Sequence, residues 1–146
     1  MPSSLTSNYL HTSILNYVLT GVSFTAPTTL WYALFTTMPQ LNGTGGTEVS
    51  ISGTGYGRKS ISCAPSEWNG PSGANLEFSN AKELPIGIAP TADWGIIVGG
   101  GLYDSDIGGS NNLMFLFNLT VPRSISSGDG QPKVLVGNLR ISRATC

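Results

Sequence analysis

The stretch from Thr28 to Thr37 is apolar on both of the faces a strand would present. Leu30, Tyr32 and Leu34 alternate with Trp31, Ala33 and Phe35, and no charge interrupts them. Successive strand side chains point to opposite faces, so this run, bounded by Pro27 and Pro39, predicts a central strand covered on both sides. Leu113 to Val121 repeats the pattern through Leu113, Met114, Phe115, Leu116 and Phe117. Trp94 to Tyr103 predicts a third long strand, in which Gly99, Gly100 and Gly101 mark a bulge or a close backbone approach. Tyr56 to Cys63, Asn75 to Ser79 and Lys133 to Ser142 read as further strands. The period changes to a helical one only near the N-terminus, where Leu10, Ile14, Tyr17 and Val18 recur three or four apart between capping serines, Ser3 and Ser4, and a stop at Gly21. These elements predict a mainly β fold: a small antiparallel β-sandwich with one N-terminal amphipathic helix over about 4–20.

The polar face of that helix is Ser7, Asn8, His11, Thr12, Ser13, Asn16 and Thr20, without a formal charge. Only 10% of the whole chain is charged, against about 25% in an ordinary soluble domain. Neutral polar surface costs little to desolvate, so this composition favours a subunit that works inside an assembly. With 146 residues and no internal repeat, the chain reads as one domain, 1–146. Its net charge is −1, with no basic cluster beyond Arg58-Lys59, which gives no footprint for nucleic acid. No apolar run approaches the ~20 residues that span a bilayer, and no secretory signal is visible, so synthesis in a cytoplasm is expected and a membrane partner is not.

Candidate chemistry is sparse. The single histidine, His11, has no acid or base partner in the pattern, which predicts a solvated surface residue, no catalytic centre and no cofactor. Asp104-Ser105-Asp106-Ile107-Gly108-Gly109 opens like a calcium loop, but Phe115 stands where the bidentate glutamate belongs, so a hairpin turn is expected. Gly53-Thr54-Gly55-Tyr56-Gly57 leads into a strand and not a helix, unlike a phosphate loop. Of the three tryptophans, Trp31 reads as core and Trp68, in a Pro/Gly-flanked turn, as the one that could offer a stacking surface.

Gln40 to Gly57 is a long Gly/Thr/Ser-rich surface loop by composition. Together with the tail from about 142 to 146 it lacks an internal core to offset its ordering entropy, so a partner interface is expected on these two regions, at Gly43, Thr44, Glu48, Tyr56, Arg58, Arg143 and Cys146. Cys63 and Cys146 form no metal-binding spacing; free thiols, a bridge within the chain and a bridge between chains all remain open, and Cys146 is expected to link neighbouring subunits.

The order Thr20-Gly21-Val22, Thr29-Leu30-Trp31-Tyr32-Ala33-Leu34-Phe35-Thr36, Gly46-Thr47-Glu48-Val49-Ser50, Gly55-Tyr56-Gly57-Arg58, Ala92-Asp93-Trp94-Gly95 and Pro122-Arg123 resembles a group of small tailed-bacteriophage virion proteins, often labelled tail-fibre-like, some similar to capsid decoration proteins. The resemblance implies a virion component. Because a fibre shaft should show heptads or repeats and this chain has neither, it favours a non-enzymatic cement protein on the major capsid protein lattice, as a homo-oligomer; the alternative is a receptor- or carbohydrate-binding module of the tail.

Overall fold

The structure, a computed structural model, describes residues 4–142. Among the described residues eleven strands and one helix follow in the order β1 (Ser4–Thr6), α1 (Asn8–Thr20), β2 (Thr29–Thr37), β3 (Thr47–Glu48), β4 (Lys59–Ser62), β5 (Trp68–Ser72), β6 (Glu77–Asn80), β7 (Leu84–Pro85), β8 (Gly95–Tyr103), β9 (Leu113–Ile125), β10 (Lys133–Val134) and β11 (Arg140–Ile141). All pairings are antiparallel. A six-stranded sheet has the order β1-β9-β8-β2-β3, with β4 also on β2, and two smaller sheets, β10-β7 and β11-β6-β5, accompany it.

β2 takes the predicted central place, paired on one side with β8 and on the other with β3 and β4. Its alternation sorts the core in two. Leu30, Tyr32 and Leu34 join the larger cluster, with Leu84, Ile86 and Leu139 brought by the small sheets, while Ala33 and Phe35 join Tyr103, Leu113 and Leu116 on the opposite face. Trp31 is half-buried at the edge of that second cluster. The glycine triplet is needed at the centre of the sheet. A Cβ on Gly100 would stand 2.8 Å from the Ala33 carbonyl oxygen and 2.8 Å from the Phe117 ring, where Tyr32 and Phe117 stack at 5.4 Å.

The turn read around Trp68 forms a strand instead, β5, paired with β6, and three further elements differ from the pattern. The helix starts at Asn8, not at Ser3 or Ser4, because Ser4–Thr6 pair with Phe115–Phe117 as an edge strand. Ser7 is the cap: its Oγ accepts from Leu10 N–H at 3.1 Å and donates to the Leu113 carbonyl, tying the helix start to β9. The last predicted strand is broken into β10 and β11 by a turn at Gly137, φ 78°, whose surroundings are organised by buried Asn80. The Asn80 amide donates to Lys82 and Leu135 carbonyls at 2.7 and 3.0 Å and accepts from Leu139 N–H at 2.9 Å. Finally, the second half of the Gln40 to Gly57 loop is drawn inward, with Val49, Thr54 and Tyr56 buried, since apolar side chains at that spacing reach the face of β2. Among the described residues no helix is long and apolar enough to cross a membrane.

Candidate functional site

Three of the residues singled out in the sequence meet in one cluster, Tyr56 and Arg58 converging on the carboxylate of Glu48. Arg58 grips Glu48 at both oxygens, Nε to Oε1 at 2.9 Å and Nη2 to Oε2 at 2.8 Å. Tyr56 Oη donates to the same Oε1 at 2.8 Å and accepts from Leu34 N–H of β2 at 3.0 Å. Arg58 Nη1 donates to the Ser105 carbonyl at 2.9 Å, and the guanidinium lies 4.0 Å from the centroid of the Tyr103 ring. The Arg58 side chain is 3% exposed and that of Glu48 21%. A planar fork suits this arrangement as an ammonium would not, because it fills two carboxylate oxygens and a carbonyl at once while lying over an aromatic face.

Desolvation works against the Arg58 charge, but the bond to Glu48 and its negative charge outweigh it, and the guanidinium is held above its ordinary value. Burial, reinforced by the Glu48 charge, pushes the Tyr56 phenol well above the usual range. The Tyr103 phenol is raised by burial too, with Arg58 opposing. Tyr56 is thus a neutral donor to a fully bonded carboxylate. The cluster clasps β3, the segment before β4 and the β8–β9 turn onto β2; with its donors and acceptors filled inside the fold, it is built to hold shape. Gly43 and Thr44 lie elsewhere, at the exposed turn after β2, where Asn42 Oδ1 accepts from Thr44 N–H and Oγ1 at 2.9 and 2.7 Å. Arg143 and Cys146 lie outside the described residues, so the expected subunit link through Cys146 does too.

The Asp104 segment is the expected hairpin turn. The Asp104 carboxylate accepts from Asn112 N–H at 2.9 Å, Asn112 Nδ2 at 2.8 Å and Ser110 Oγ at 3.0 Å. Among the described residues no group of three His, Cys, Asp or Glu side chains could hold a metal ion. Trp94 is buried, its Nε1 donating to the Thr54 carbonyl at 2.8 Å and its ring edge-on to Tyr56. Trp68 is half-buried, its Nε1 donating to the Ser62 carbonyl at 3.2 Å, and it lines a shallow groove with Leu30, Cys63, Phe78, Phe115 and Ile141. Cys63 is exposed, and partial burial raises its thiol pKa.

The largest departure from an ordinary surface is α1. Of its thirteen residues only Leu10 is buried, while Ile14, Leu15, Tyr17, Val18, Leu19 and, just past its end, Val22 are exposed, Leu19 at 75%. Its N-terminal end is fastened by Ser7 and by Asn8 N–H to the Leu41 carbonyl at 2.9 Å. The apolar stripe beyond Leu10 therefore faces outward.

The family model of podophage GP4 fiber I protein gp80 matches residues 5–142. The chain belongs to this family. No curated protein matches its sequence. Membership in the gp80 family agrees with the resemblance to phage virion proteins and names a fibre, so the narrower reading as a capsid decoration protein draws no support from it.

For a gp80-family chain, the pattern at Leu10, Ile14, Tyr17 and Val18 correctly announced the N-terminal helix, although of these four only Leu10 is buried. What sequence reading missed is the rest of the Arg58 clasp, Leu34, Tyr103 and Ser105. Their spacing from Arg58 carries no periodic signal, since only the pairing of β2 with β8 brings them to it.

Proposed function

We propose that this chain is a non-enzymatic structural subunit of a phage fibre, incorporated into the particle by burying the outer face of α1 against a neighbouring subunit, a second copy of the chain in the first place. The single observation that carries the reading is the exposed apolar helix in a fibre-family chain. A thirteen-residue helix is marginal in water, and most of its stability must come from packing. Each large apolar side chain contributes about 1.5–3 kcal/mol when fully buried, or roughly 60–120 Å² at the usual coefficient. Six such residues supply at most roughly 360–720 Å², a large part of the ~800 Å² per partner of a standard interface, and neighbouring polar residues would supply the rest. The helix carries no Lys, Arg, Asp or Glu, so two copies can meet without repulsion between such charges.

A second reading, a decoration protein clamping the major capsid protein, is favoured by the absence of any shaft-like element among the described residues: the longest strand and the helix have thirteen residues each. Quantitative mass spectrometry of purified particles separates the two. Tens of copies fit a fibre, hundreds fit a lattice cap, and none would defeat both. In the same assay V18K/L19K protein should stay folded in solution but be missing from particles; normal incorporation would sink the role given to α1.

A further inference from the structure

β9 is unequally flanked. It runs from Leu113 to Ile125, yet on its outer side β1 pairs only with Phe115–Phe117. Past Phe117 no strand among the described residues lies on that side. On the inner side the ladder to β8 also opens: Gly99 faces Asn118 and Ile97 faces Arg123, so that Leu119, Thr120, Val121 and Pro122 stand opposite Val98 alone. Thr120 to Ser124 are exposed, Val121 at 67%. Asn118, Leu119 and Arg123 line a groove of about 480 Å³ together with Asp129, Lys133 and apolar residues that include Phe117 and Ile97.

An open strand edge presents backbone donors and acceptors in alternation, and only another extended chain supplies their complement along its whole length. Side chains of an added strand alternate, so one set would face the apolar part of the groove and the other the solvent. Charge further narrows the occupant. Lys133 is paired with Glu83 at 3.0 Å and Arg140 with Glu77 at 3.4 Å, whereas Arg123 pairs with no carboxylate among the described residues. Pro122 lacks an N–H, so the added strand bonds to the residues on either side of it.

We propose that the outer edge of β9, from Asn118 to Ile125, accepts an extended segment of another particle protein as a further strand, with an acidic side chain of that segment meeting Arg123. The partner rests on the reading of the chain as a particle subunit, but the surface is distinct from α1 and the experiment separates the two.

Hydrogen exchange followed by mass spectrometry is run on the free full-length protein and on purified particles. Amides of residues 118–125 should exchange on the order of tenfold or more slowly in particles. Equal exchange in both samples, with the chain present, overturns the strand addition while leaving α1 as the assembly surface. Protection that grows in the free protein with its own concentration makes a second copy the occupant and overturns the assignment to another protein. Absence of the chain from particles overturns the subunit reading, and this partner with it. R123E should lower the number of copies per particle severalfold while the free variant melts within about 2 °C of the parent; unchanged incorporation overturns the acidic contact.

Discussion

Strand β2 buries five of its nine residues and helix α1 one of its thirteen, although both are rich in large apolar side chains and neither carries a Lys, Arg, Asp or Glu. The difference lies in what the chain can bring to each. β2 is flanked by β8 on one edge and by β3 and β4 on the other, and both of its faces are covered by segments from distant parts of the sequence. α1 packs on β9 through buried Leu10, while among the described residues Ile14 is left half exposed and Val18 and Leu19 mostly so. Apolar character therefore reports that a surface is to be covered, and not by whom. In β2 the cover is internal and sets stability; in α1 the cover proposed above is a neighbouring subunit.

The comparison breaks most sharply at the clasp that closes the chain over β2. Arg58→Ala leaves Glu48 without its main partner in a largely dry site. Loss of one member of a buried pair costs about 3–5 kcal/mol, and because Glu48 keeps some contact with water the lower end, about 3 kcal/mol, is expected in urea unfolding. A loss below 1 kcal/mol would mean that the clasp is ornamental. Next comes Gly100→Ala. Its Cβ meets a backbone oxygen and two rings that cannot all move, and overpacking of this kind costs about 1–3 kcal/mol, read as a lowered melting temperature.

Tyr56→Phe removes two hydrogen bonds, to Glu48 and from the buried Leu34 N–H, and is expected to cost about 2 kcal/mol at neutral pH. Its signature is in the alkaline limb. A phenol whose folded pKa is raised contributes stability that is fully present below its unfolded value, near 10, and is lost as the pH rises toward the folded value. Tyr32, raised by burial, acts in the same direction. Stability of the parent should fall steeply above about pH 10, and Y56F should fall less steeply; identical slopes would remove Tyr56 from the account.

The smallest effect on the free protein is expected on the other side of the comparison. In V18K/L19K both side chains already face solvent, and lysines near a helix C-terminus complement its dipole, so stability should change by no more than about 0.5 kcal/mol. Self-association measured by light scattering should nonetheless be lost. Destabilisation by several kcal/mol would show that α1 belongs to the core after all, and would erase the contrast with β2.

The both-face apolar runs determined by themselves the three long strands, their faces and the mainly β architecture, because side-chain alternation is a local property of the backbone. The glycine triplet announced a close approach for the same reason: no other residue leaves room for a ring on the strand. The Asp104 hairpin followed from turn chemistry, and Glu48, Tyr56 and Arg58 were among the seven positions expected at a partner interface. Only the tertiary structure decided what that group does, since the partners that draw Arg58 inward, Tyr103 and Ser105, are more than forty residues away and reach it through the β2–β8 pairing. It also decided that Ser4–Thr6 leave the helix for β9, and that among the described residues β9 outruns the strand on its outer side. Whether an apolar stripe or a strand edge finds its cover within the chain depends on where every other segment goes, and no local pattern contains that.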